Sequence, residues 1–108
     1  MKIHKIVEYT VKAEELDTVI KAIQNFIEAV RNNEPQTNYQ AYQLTEDNTK
    51  FIHVMSFMNT DAEEAHKNAD YTRAFTDVLY PRCEQEPAFK DMDSIALTLG
   101  EGVVDWAN

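Results

Sequence analysis

A chain of 108 residues with 19 acidic and 10 basic side chains carries a formal net charge of -9, which repels a phosphate backbone and sets nucleic acid aside as a partner. At 44% hydrophobic it can build a core, and the length supports one domain. No apolar run approaches the ~20 residues of a bilayer span, and the N-terminus lacks the charged-then-apolar pattern of a signal peptide, so no membrane contact and a cytoplasmic location are expected. The single Cys83 has no partner for an internal disulfide, which agrees with a reducing compartment; it reads as a small, partly buried side chain near a helix end.

Ile3 to Val11 forms a first strand, with Val7, Tyr9 and Val11 on one face and Ile6, Glu8 and Thr10 on the other. From Ala13 the period changes: Leu16, Val19, Ile20, Ile23, Phe26, Ile27 and Val30 make an amphipathic helical stripe that ends near Asn32-Asn33 and is stopped by Pro35. Thr37 to Thr45 is a second strand, with Tyr39 and Ala41 opposing Tyr42 and Leu44, and Glu46 to Thr49 turns the chain into a hairpin. In the third strand Phe51, His53, Met55 and Phe57 alternate with Ile52, Val54, Ser56 and Met58, so both faces need cover. Thr60-Asp61-Ala62-Glu63 has the spacing of a capping box, with Thr60 as the cap.

The helix that follows carries Ala62, Ala65, His66 and Ala69 on one inward face. Tyr71, Ala74, Phe75, Val78 and Leu79 repeat the spacing along a second helix, which Pro81 ends or kinks. Glu84 to Pro87 is a loop, and Ile95, Leu97 and Leu99 mark a last strand from Met92 to Leu99. Gly100 and Gly102 then release a tail over residues 100–108, leaving residues 1–99 as the domain.

The order β, α, β, β, α (broken in two), β predicts an α+β ferredoxin-like fold: a four-stranded antiparallel sheet with the helices on one face. Ile52, Val54 and Met58 would leave the other face apolar, and a second copy of the chain packed sheet to sheet would cover it. Trp106 suits docking on that second subunit or packing on its own core equally well. His4, His53 and His66 lie dozens of residues apart with no paired-ligand spacing, so no metal site is expected, and the only glycines sit near the C-terminus, so there is no phosphate-cradling loop.

Glu34-Pro35, Tyr39, Tyr42-Gln43, Phe51, Phe57, Ala62, His66, Tyr71 and Phe75 together resemble the pattern of the antibiotic biosynthesis monooxygenase-like family of dimeric α+β barrels, over Lys2 to about Leu99. The resemblance implies a homodimer with a pocket between sheet and helices in each subunit. It also implies a chemistry drawn from oxygenases of hydroquinone- or anthrone-like aromatics that work without a cofactor, heme-degrading enzymes, or an isomerase of a signalling sugar derivative. Two positions depart from the pattern: Met55 stands where many members carry a glutamate on the third strand, and Gln36 replaces the glycine after Glu-Pro. The residues that heme-degrading members use fall on Val7, His66 and Phe75, which argues against that chemistry.

Within this frame His66 is the expected general base, since imidazole alone titrates near neutrality without perturbation, and Tyr71 the expected donor to a developing oxyanion. His53 is the second candidate for that base, and His53, Tyr39, Phe51, Met55, Phe57 and Phe75 are the expected walls around a small apolar or aromatic ligand. The rival expectation is a non-enzymatic dimer of the same fold that binds a small ligand or serves assembly, prompted by Met55; each histidine and aromatic row would then be core. A sugar-phosphate isomerase would need cations in the pocket, and only Lys67 and Arg73 lie near His66 in sequence.

Overall fold

The computed structural model describes residues 2–98. Strands β1 (Ile3–Thr10), β2 (Asn38–Gln43), β3 (Lys50–Phe57) and β4 (Ala88–Met92) form one antiparallel sheet in the order β2-β3-β1-β4. Helices α1 (Leu16–Asn33), α2 (Thr60–Asn68) and α3 (Asp70–Leu79) provide the inward side chains that cover one face. This is the α+β ferredoxin-like sheet that the alternation of periods predicts.

The two faces of the sheet follow from side-chain alternation. Val7 and Tyr9 of β1, with Phe51, His53, Met55 and Phe57 of β3, are buried beneath Val19, Ile23, Phe26 and Val30 of α1 and Phe75 and Leu79 of α3. Phe26 and Phe75 stack at 4.5 Å between ring centroids and so bind α1 to α3. The opposite face carries Ile6, Ile52 and Val54, each half-buried, beside a more exposed Tyr42.

Three local expectations are corrected. The cap of α2 is Asn59, whose carboxamide oxygen accepts from the Ala62 amide at 2.9 Å; Thr60 is already helical, and Glu63 turns inward to Lys5 at 2.7 Å. That rotation leaves Ala65 exposed while Glu63 and His66 are buried, and on α3 Ala74 is exposed as well. The last strand is Ala88–Met92, earlier than its apolar alternation suggested. Its register sets His4 opposite Met92, and β1 begins only one residue further on, so Ile95 and Leu97 have no strand edge to join and stand exposed. Leu99, Gly100, Gly102 and Trp106 lie outside the described residues, as does the expected tail.

Candidate active site

Between the inner face of the sheet and the three helices lies a cavity of about 630 Å³, within the size range of small-molecule sites. β1 and β3 provide its floor through Val7, Tyr9, His53, Met55 and Phe57, α1 and α3 provide Phe26 and Phe75, and α2 brings His66 to the wall. The body of the chamber is apolar and aromatic. At the rim stand Lys5, Lys67 and Arg73, each facing a carboxylate: Lys5 meets Glu63 at 2.7 Å and Asp91 at 3.2 Å, Lys67 lies 3.8 Å from Glu63 and Glu64, and Arg73 3.6 Å from Asp70.

His66 sits in the last turn of α2, and its backbone is fixed by the joint with α3. The Ala69 amide and the Thr72 hydroxyl both donate to the His66 carbonyl, at 3.3 and 2.6 Å. Its Nδ1 lies 2.9 Å and 3.1 Å from the two carboxylate oxygens of Glu34, and the Tyr71 hydroxyl donates to the same carboxylate. Burial alone would raise the Glu34 pKa, but the bonds from His66 and Tyr71 outweigh it and hold the carboxyl below its ordinary range.

An ionised carboxylate only accepts, so Nδ1 of His66 carries a proton that it donates to Glu34. In the neutral ring Nε2 then keeps its lone pair. Nε2 has no protein partner among the described residues and is not sealed from solvent, and His66 is among the residues that line the cavity.

Glu34 is the member of this group that sequence reasoning missed. It was visible as half of the Glu34-Pro35 pair in the family pattern, beside Pro35 as the helix stop, while the acidic partner for the histidine was sought on β3, where Met55 stands. The structure supplies that partner from the end of α1, 32 residues from His66 in sequence. Glu34 is the C-cap of α1; its amide donates to the Val30 carbonyl at 2.7 Å and its carbonyl accepts from Thr37 at 3.0 Å, so the backbone carrying the carboxylate is held from both sides.

His53 is placed differently. It is wholly buried, with Nε2 2.7 Å from the Tyr9 hydroxyl and Nδ1 2.7 Å from the Tyr39 hydroxyl, and burial lowers its pKa to about 4. Burial likewise pushes the Tyr9 and Tyr39 hydroxyls well above the usual phenol value.

The remaining expected site residues divide. Tyr39, Met55, Phe57 and Phe75 line the chamber with the two histidines. Phe51 does not; it stacks behind Tyr9 at 5.3 Å between centroids. Tyr71 is also absent from the lining, its hydroxyl being directed to Glu34 rather than to the chamber. Among the described residues no group of three or more histidine, cysteine, aspartate or glutamate side chains is arranged to hold a metal, and no helix is long and apolar enough to cross a membrane.

The sequence pattern of the family described as antibiotic biosynthesis monooxygenase matches residues 2–78. Solved structures share the fold at low identity. A putative antibiotic biosynthesis monooxygenase from Caulobacter crescentus superposes with a TM-score of 0.81 at 19% identity, covering 88% of this chain and 91% of that one. One from Nitrosomonas europaea gives 0.80 at 17%, covering 87% and 90%, and one from Bacteroides thetaiotaomicron 0.84 at 12%, covering 92% and 94%. No protein of curated function matches the chain in sequence.

Proposed function

Since the chain belongs to the antibiotic biosynthesis monooxygenase family, we propose that it is a monooxygenase that works without a cofactor on a quinol- or anthrone-type aromatic held in the cavity. The observation that carries this reading is His66 in the cavity lining, with Nδ1 bound to Glu34 and Nε2 free of any protein partner among the described residues. Carboxylate, imidazole and substrate in series is the arrangement that orients a general base and steadies the imidazolium it becomes.

The chemistry then needs little else from the protein. His66 Nε2 takes the acidic proton of an anthrone-type methylene or a quinol hydroxyl. The carbanion or phenolate passes an electron to dioxygen, and the two radicals combine at carbon. For a methylene substrate the resulting hydroperoxide loses water to give a carbonyl, so one oxygen atom ends in the product and the other in water. The aromatic walls hold the ring system and exclude bulk water. Tyr71 acts as a positioning residue, since its hydroxyl reaches Glu34 and not the chamber. The paired state of the rim cations speaks against a phosphorylated ligand, and the rival reading of a ligand-binding or assembly dimer gives no task to the Glu34–His66 pair.

We further propose a homodimer formed through the outer sheet face, where Ile6, Ile52 and Val54 are uncovered by any helix of their own chain.

Oxygen uptake over a panel of hydroquinones and anthrones tests the assignment. The wild type is expected to consume oxygen with at least one of them, and His66→Ala to lose about 100-fold or more of that rate. Equal rates in the two proteins would remove His66 from the mechanism.

A further inference from the structure

The Tyr9–His53–Tyr39 group has no part in the proton abstraction just described, yet both tyrosines line the cavity. The three side chains form a continuous chain: Tyr9 hydroxyl to Nε2 at 2.7 Å, Nδ1 to Tyr39 hydroxyl at 2.7 Å. Neither hydroxyl has another protein partner among the described residues.

Hydrogens can be counted along this chain. Two hydroxyls and a neutral imidazole hold three, and the two internal bonds use two of them. If the ring hydrogen is on Nδ1 it goes to the Tyr39 oxygen, Tyr9 donates to Nε2, and the Tyr39 hydrogen is left over. With the ring hydrogen on Nε2 the roles exchange and the Tyr9 hydrogen is left over. Either tautomer therefore leaves one phenolic O–H without a protein acceptor, next to a cavity that is otherwise apolar at its floor. A buried donor in that state costs free energy that a ligand acceptor would recover.

We infer that Tyr9, His53 and Tyr39 form an oxygen-recognition site in the cavity floor, which donates one phenolic hydrogen bond to a carbonyl or phenolate oxygen of an aromatic ligand. His53 touches no ligand itself; it is the positioning residue that holds both phenols and, by exchanging tautomers, lets either one donate. The low basicity that burial gives His53 keeps the chain neutral across the physiological range. The inference rests on the proposed use of the cavity for aromatic ligands and adds what such a ligand must carry: an oxygen acceptor for the tyrosines as well as the acidic hydrogen that His66 would remove.

A matched pair of probes reads this directly: 1-tetralone, an aromatic ketone, and tetralin, the same bicycle without the oxygen. Calorimetry gives the affinity of each for the wild type and for Tyr9→Phe/Tyr39→Phe. The preference for tetralone relative to tetralin is expected to fall about fivefold to tenfold in the double variant, the worth of one neutral hydrogen bond. A general loosening of the floor would weaken both probes alike and leave the ratio unmoved. The infrared carbonyl band of bound tetralone is expected below its position in an apolar solvent for the wild type, and back toward that position in the double variant.

An unchanged ratio, a wild-type band at the apolar-solvent position, or failure of both probes to bind would each overturn the inference. The wild-type band needs no variant, so the test stands even if the double variant does not fold. Both probes are read by binding alone, without turnover. An inactive His66 mechanism with an intact tetralone preference would leave the tyrosine site standing, and an active enzyme without that preference would remove the tyrosine site alone.

Discussion

His53 and His66 occupy the same chamber, and their partners give the two imidazoles opposite properties. His66 faces a carboxylate on one nitrogen and nothing on the other; His53 faces a phenol on each and has no exposed surface. Sequence placed both on inward faces, through the alternation of Phe51, His53, Met55 and Phe57 and the helical spacing around His66. It could not assign their partners, because Glu34 and Tyr9 come from elements 32 and 44 residues away and neither lies on a pattern that names a hydrogen-bond acceptor. The burial of His53 has a measurable consequence for stability. Its pKa falls from 6.5 to about 4 on folding, so the stability it contributes is whole above pH 6.5 and is lost as the pH drops through that window, where the unfolded chain takes up a proton that the folded chain refuses. The loss amounts to about 3 kcal/mol by the lower end. Urea unfolding at a series of pH values should show this decline in the wild type and a flatter profile in His53→Gln. Parallel profiles would mean that His53 takes up its proton as readily in the folded chain as in the unfolded one.

At the scale of elements, the site depends on where α2 begins and how it ends. Asn59 fixes the first turn through its bond to the Ala62 amide, and Thr72 closes the last by donating to the His66 carbonyl. Between those two bonds the helix has room for little rotation, which sets the angle at which the imidazole meets Glu34. Asn59→Ala should lower stability by about 1 kcal/mol, the usual worth of an N-cap, measured as a shift in the urea midpoint; Thr60→Ala should not, and the reverse order would return the cap to Thr60. The capping signal was legible to within one residue. β4 was less so, because its own five residues are exposed and carry no clean alternation, whereas Ile95 and Leu97 alternate beyond the end of the strand they would need. Pairing is decided by the edge of β1, and a one-dimensional pattern does not contain that edge.

For the molecule as a whole, one sheet serves two surfaces. Its inner face floors the cavity, and its outer face carries the Ile6, Ile52 and Val54 row with exposed Tyr42 beside it. Covering the outer face with a second copy would stiffen the floor without entering the chamber, so the proposed association and the proposed chemistry would use opposite sides of the same strands. Sedimentation at micromolar concentration should find dimers of the wild type. Val54→Lys, which plants a charge in the middle of that row, should shift the population toward single chains; a wild type that sediments only as single chains would contradict the proposed interface. The fold class was readable because periodicity determines layers, and the outer apolar face was readable for the same reason. The chamber was legible only through the family resemblance, since periodicity does not set how three helices lean on the sheet.

What the fold delivers to the chamber, on this account, is the His66 imidazole with a proton held on Nδ1 by Glu34 and with Nε2 free of any protein partner among the described residues. A long-range proton–nitrogen correlation spectrum of the uniformly nitrogen-15-labelled protein at mildly alkaline pH measures that state without any substrate. For His66 a pyrrole-like Nδ1 and a pyridine-like Nε2 are expected, with that signature lost in Glu34→Gln. A His66 whose proton sits on Nε2 would contradict this, because no lone pair would then be left on Nε2 to accept a proton.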